Sequence, residues 1–150
     1  MNLMVVDASA LVAYVRGHDD WSPVANRILE AHFAAGGGIR IPNIAVAELA
    51  SAVARASGQP ELGLQAVTHL ARHRRIVTRA VDHGLASLAA DIAATQLVRG
   101  CDAVYLAMAQ DEGLPLLTFD REQRLRAPKG VQTIPPDGSD SALDGGASRS

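Results

Sequence analysis

Four acidic residues spread along the chain, Asp7, Glu48, Asp102 and Asp120, are the side chains whose types and positions could do chemistry together. Packed at one point, four carboxylates repel one another unless something positive neutralises them. A divalent cation does so, and hard oxygen donors suit magnesium, where histidines or cysteines would suggest zinc. Such an ion can lower the pKa of a water, orient a phosphodiester and offset charge on the leaving oxygen. The chemistry these residues imply is metal-assisted phosphodiester hydrolysis.

The elements that must position them follow from the apolar pattern. Leu3 to Asp7 is a short apolar run with β-branched residues and a polar end, the pattern of a buried parallel strand, and a helix follows from about Ser9. Ser22 and Pro23 suit the cap and first turn of a second helix, which ends before Gly36-Gly37-Gly38. Ile39 to Pro42 predicts a strand. Asn43 can cap a helix from Ile44 to about Ser57, ended by Gly58, and Pro60 opens another through about Arg72. A strand at 76–81, helices at 85–97 and from Asp102 to about Glu112, a strand at 114–119, a short helix at 121–125 and a strand at 131–134 complete the pattern.

Strands alternating with helices imply an α/β fold whose parallel sheet is covered on both faces. In such folds sites form outside the carboxyl ends of the strands, where the strand order reverses. Asp7 and Asp120 each end a predicted strand, and Glu48 and Asp102 lie near the starts of helices rising from the same edge. Each residue also has an ordinary structural role open to it. Asp102 and Asp120 are possible N-caps, the latter with Gln123 in the capping-box position, and Glu48 is a possible solvent-facing helix residue. Asp7 is the exception, because an ionised group ending a buried apolar strand is costly without a partner.

With 150 residues, 48% of them hydrophobic, the chain can build one domain with a sizeable core and not two. No apolar run approaches the ~20 residues of a membrane-spanning helix, and no basic start precedes an apolar run with a cleavage site, so the sequence reads as soluble, cytoplasmic and without a membrane partner. Cys101 alone allows neither a disulfide framework nor a cysteine-based zinc site. The formal charge of −2 is concentrated at the end of the chain. From Pro136 the chain holds Asp137, Asp140 and Asp144 against Arg149, which leaves 13 basic and 13 acidic groups in residues 1–135. Setting aside the four candidate acids makes the remaining surface mildly basic, densest at Arg72, Arg74, Arg75 and Arg79 with His69 and His73. Residues 136–150 read as a flexible tail rich in acidic, Gly and Ser residues.

The stretches Val5-Val6-Asp7-Ala8-Ser9-Ala10-Leu11, Val46-Ala47-Glu48-Leu49, Cys101-Asp102-Ala103-Val104-Tyr105-Leu106-Ala107 and Leu117-Thr118-Phe119-Asp120-Arg121 occur in an order and spacing that resemble the PIN-domain family, and within it the VapC toxins of bacterial type II toxin-antitoxin pairs. The resemblance covers residues 1–135. It implies a three-layer α/β/α fold on a five-stranded parallel sheet, magnesium or manganese at the four acids, and endonucleolytic cleavage of RNA. Ser9 and Thr118 match family hydroxyls near the metal, where they would orient a ligand or water; their ordinary roles would be a helix cap and a β-former. The resemblance further implies a cognate antitoxin that wraps the toxin and blocks its site, and commonly a homodimer.

Other motifs carry little. His18, His32, His69, His73 and His83 show no spacing with a carboxylate that suggests a catalytic dyad, and neither Gly36–Gly38 nor the first strand is followed by a nucleotide-binding motif. Two rivals have the same general architecture. A phosphorylation-dependent receiver domain needs a lysine ending its last strand, whereas Lys129, the only lysine, precedes that strand. A PIN-fold RNA-binding domain without catalysis is the other, and the complete acidic quartet speaks against it.

Overall fold

The computed structural model describes residues 1–136, so the tail expected from 136 to 150 lies outside the described residues apart from Pro136. Its elements are β1 (Leu3–Val6), α1 (Ala8–Arg16), α2 (Ser22–Ala34), β2 (Gly38–Pro42), α3 (Ile44–Ser57), α4 (Pro60–Arg72), β3 (Ile76–Arg79), α5 (His83–Gln96), α6 (Gly100–Glu112), β4 (Leu116–Leu117), α7 (Arg121–Leu125) and β5 (Thr133–Ile134). The five strands form one parallel sheet in the order β3-β2-β1-β4-β5. The chain steps from β1 outward to β3, then returns to the other side of β1 for β4 and β5. Right-handed crossovers in opposite directions place α1–α4 on one face and α5 and α6 on the other. Helix contacts agree: α1 packs with α2 and α3, α3 with α4, and α5 with α6. The result is the expected α/β/α sandwich, with its strand order reversing between β1 and β4.

The core follows from strands that are apolar on both sides. Val5, Val6, Ile39, Ile41, Leu116 and Leu117 are fully buried, as are Leu11, Leu49 and Leu106 from the covering helices. Among the described residues no helix is long and apolar enough to cross a membrane.

Several local expectations are corrected. Ser22 does not cap α2; Trp21 is the N-cap, and the Ser22 hydroxyl donates to the Ala13 carbonyl at 2.6 Å. Asn43 is the N-cap residue of α3, as expected, but its side chain makes no capping bond; its Oδ1 accepts from Val81 N–H, and β3 ends at Arg79 rather than Val81. β4 is only two residues long. Pro115 has no N–H to offer a ladder, and past Leu117 the N–H groups of Phe119 and Asp120 are taken by the hydroxyls of Ser9 and Thr118. β5, on the sheet edge, is correspondingly short. α6 begins at Gly100 with Arg99 as its N-cap, so Asp102 lies inside the first turn instead of capping it.

Gly63 shows how closely α3 and α4 approach. A Cβ there would lie 2.5 Å from the Ala50 carbonyl oxygen and 3.2 Å from Ala54 Cβ. Helix propensity alone would favour alanine by up to about 1 kcal/mol. The backbone contact outweighs it, because a carbonyl in a helix cannot move aside alone. Gly63→Ala is therefore expected to lower stability by about 1–3 kcal/mol in thermal or urea unfolding; an unchanged or raised melting temperature would show that the helices part without cost.

Candidate active site

The reversal of strand order between β1 and β4 opens the crevice in which parallel α/β sheets place their sites, and the acids gather there. Asp7 directly follows β1 and is 3% exposed. It is the N-cap of α1: its Oδ1 accepts from the Ala10 N–H at 3.2 Å and from the Ser9 hydroxyl at 2.6 Å. Its own N–H donates to Leu117 O, which ties it to the end of β4. Burial pushes the Asp7 carboxyl up to about 6, partly offset by hydrogen bonds from Ser9, Ala10 and Thr118, with the charge of Asp102 adding to the rise.

Asp120 stands beyond β4 and caps α7, accepting from the Gln123 N–H at 3.2 Å. Gln123 sits in the capping-box position but does not close the box. Its side-chain amide donates instead to the Asp102 carbonyl at 3.0 Å, clamping the start of α6 to the start of α7. Asp102 lies in the first turn of α6, where the helix dipole favours an anion. Glu48, on α3, accepts from the buried Tyr105 hydroxyl at 2.8 Å, a bond joining the two helical layers. Burial raises the Glu48 carboxyl, the Tyr105 bond opposes the rise, and the Asp102 charge adds to it. Burial beside Glu48 drives the Tyr105 phenol well above its ordinary range, keeping it a donor.

Asp102 thus bears electrostatically on both Asp7 and Glu48, and Arg99 links Asp102 to Asp120. The Arg99 guanidinium reaches Asp102 Oδ2 at 3.1 Å and Asp120 Oδ2 at 3.5 Å from an 80% exposed side chain. As placed, the carboxylates do not close into a common ligand set: among the described residues no three His, Cys, Asp or Glu side chains are gathered so as to hold one metal ion. The donor chemistry nevertheless suits a hard divalent cation, since it consists of carboxylates and hydroxyls, and a cationic group already spans two of them.

Ser9 and Thr118 adjoin these acids. The Ser9 hydroxyl donates to Asp7 and accepts from the Phe119 N–H at 3.1 Å, bridging α1 and the end of β4 rather than capping a helix. The Thr118 hydroxyl accepts from the Asp120 N–H at 3.0 Å and is fully buried. Arg99, Tyr105 and Gln123 were not anticipated as parts of this cluster. Arg99 and Tyr105 lie three residues either side of Asp102, a helical spacing that places them near it. The dense basic segment is elsewhere: Arg72, Arg74 and Arg75 precede β3, at the opposite edge of the sheet, and Arg79 is paired with Asp111 and Glu112.

A family model for the PIN domain matches residues 4–128. The chain belongs to the PIN-domain family. Solved structures with a similar fold include VapC20 from Mycobacterium tuberculosis, a toxin that cleaves the sarcin-ricin loop, with a TM-score of 0.72 and 16% identity over 85% of this chain and 98% of that one. VapBC2 from Rickettsia felis, bound to a DNA fragment from its promoter, has a TM-score of 0.67 and 17% identity over 87% and 96%. FitAcB from Neisseria gonorrhoeae has a TM-score of 0.65 and 19% identity over 89% and 97%. At these identities the likeness establishes the PIN fold. No curated protein matches by sequence.

The raised Asp7 carboxyl makes PIN-domain stability depend on pH. Its folded pKa, about 6, exceeds the ordinary 3.8, so between these values the folded state holds the proton more tightly. Stability falls as pH rises through that window, by up to roughly 3 kcal/mol. Asparagine keeps an Oδ1 acceptor for Ser9 and Ala10 and cannot ionise. In chelator, Asp7→Asn should therefore gain stability relative to wild type from pH 4 to pH 7; a difference that stays constant across this range would show that Asp7 is not held as a costly buried charge.

Proposed function

We propose that this PIN domain is a magnesium- or manganese-dependent endoribonuclease, the toxin of a type II toxin-antitoxin pair, with Asp7, Glu48, Asp102 and Asp120 as metal-binding and catalytic residues. The observation that carries the reading is the buried Asp7 carboxylate at the strand-order reversal, with Asp102 raising both Asp7 and Glu48 and Arg99 joining Asp102 to Asp120. A divalent ion, when bound, supplies Lewis-acid chemistry that offsets phosphodiester charge and makes a water more acidic. The chain's residues do the positioning. Ser9 holds Asp7 against the end of β4, Thr118 fixes the Asp120 backbone, and Tyr105 directs the Glu48 carboxylate. Gln123 keeps the helices bearing Asp102 and Asp120 in register.

The toxin assignment is supported by the neighbours. VapC20 is a toxin, and structurally similar assemblies include a toxin-antitoxin complex from Klebsiella pneumoniae and a DNA-bound VapBC from Salmonella typhimurium. The toxin-antitoxin neighbours favour a cognate antitoxin as partner; an RNA substrate, a homodimer and a cytoplasmic location complete the proposal.

Purified protein is expected to cut single-stranded or structured RNA when magnesium or manganese is present and to stop when the metal is chelated. Asp102→Asn should lower cleavage by at least about 100-fold, a loss on the scale of one essential transition-state interaction. Undiminished cleavage in excess chelator would contradict the mechanism. RNA binding without cleavage under every metal condition would favour the non-catalytic RNA-binding domain instead.

A further inference from the structure

The groove between α1 and α3 begins at the acid cluster and leads away from it. Its volume is about 510 Å³, and its lining includes Ser9 and Val12 from α1 and Glu48, Ser51, Ala52 and Arg55 from α3. Glu48, Ser51, Ala52 and Arg55 are spaced three, four and seven residues apart, so they form one stripe along α3. At about 1.5 Å per residue, Glu48 and Arg55 lie roughly 10 Å apart along the helix axis. That span exceeds one nucleotide step of about 3.4 Å along a stacked strand, so a phosphate at Arg55 is not the one at the acids.

Arg55 gives the groove its direction. It is exposed, and among the described residues it makes no hydrogen bond or ion pair. Most other arginines near the acids are engaged: Arg99 with Asp102 and Asp120, and Arg124 with the Thr118 carbonyl. An acid at one end, an exposed serine hydroxyl and small apolar side chains between, and an unpaired cation at the other end match a polyanionic strand. One phosphate would react at the acids and a later one would meet the guanidinium. A space of about 510 Å³ is on the scale of a small-ligand pocket, so it has room for a short piece of one strand and not for a duplex.

We propose that this groove is the path of single-stranded nucleic acid away from the scissile phosphate, and that Arg55 is a positioning residue that binds a later phosphate of the strand, assisted by Ser51. The inference rests on the nuclease reading above and adds to it the strand's direction and its second anchor. Arg55 also lies in the last turn of α3, where a cation offsets the helix dipole. A purely structural Arg55 would affect melting and leave the salt dependence of RNA binding unchanged.

The test measures binding of a fluorescently labelled single-stranded oligoribonucleotide to the full chain carrying Asp7→Asn, in magnesium, by anisotropy across a range of KCl. The same chain carrying Arg55→Gln or Arg55→Lys is compared, with wild-type cleavage of the same oligonucleotide run alongside. Losing one single-strand phosphate contact should reduce the slope of log K against log salt by about 0.7. Arg55→Gln is expected to show that reduction, with severalfold weaker binding at low salt. Arg55→Lys should keep the wild-type slope, and the melting temperature should move little. Unchanged slope and affinity in Arg55→Gln, while wild type still cleaves, would overturn the path and leave the nuclease standing. A lower melting temperature with unchanged slope would overturn it in favour of a helix-terminal role, and a changed oligomeric state with unchanged slope in favour of a protein interface. Absence of both binding and cleavage in the wild type would overturn the path together with the nuclease reading.

Discussion

The interaction on which this structure turns is the burial of the Asp7 carboxylate at the end of an apolar strand. A buried anion is tolerated only when something nearby compensates it, and here the compensation is built from several directions. The first turn of α1 offers the Ala10 N–H, Ser9 offers its hydroxyl, and the end of β4 anchors the backbone. These contacts do not restore the ordinary acidity, since the carboxyl remains raised. The residual cost is local and electrostatic, and a cation is the simplest group that would remove it.

Helix starts make the rest of the cluster bearable. Asp7 caps α1, Asp120 caps α7 and Asp102 lies in the first turn of α6, so three of the four acids face the positive ends of helix dipoles. Glu48 lies within its helix and takes its stabilisation from the Tyr105 hydroxyl. Among the described residues Arg99 supplies the one full positive charge in direct contact with these acids, from an exposed side chain. Dipoles, hydroxyls and the Arg99 guanidinium thus each offset part of the charge of these acids. Specific placement comes from the parallel topology, which brings the ends of β1 and β4 together although their residues lie more than a hundred positions apart.

How much of this could be read beforehand depended on whether a signal was local. The strands around Val5 and Ile39, the glycine stop at Gly58, the proline start at Pro60 and the short helix at 121–125 all carry their cause within a few residues. The local pattern misleads where a distant group takes over a backbone or side-chain bond. Asn43 serves Val81, thirty-eight residues away, instead of its own helix. Ser9 accepts from Phe119, which helps end β4 early, and Gln123 reaches Asp102 instead of completing a capping box. The placement of Asp7 and Asp120 after strands and of Asp102 in the first turn of a helix was legible from the element pattern. The acids' hydrogen-bonding partners were not, because Tyr105 meets Glu48 only after the two helical layers are assembled.

The central claim, that the four carboxylates form one divalent-cation site, is tested most directly by stability and requires no knowledge of the substrate. A ligand that binds only the folded state must raise its melting temperature. Wild type is predicted to melt higher in millimolar magnesium or manganese than in chelator, and Asp7→Asn and Asp102→Asn to lose most of that rise while remaining folded. A wild-type melting temperature indifferent to metal, or an undiminished rise in both variants, would contradict the four-acid site.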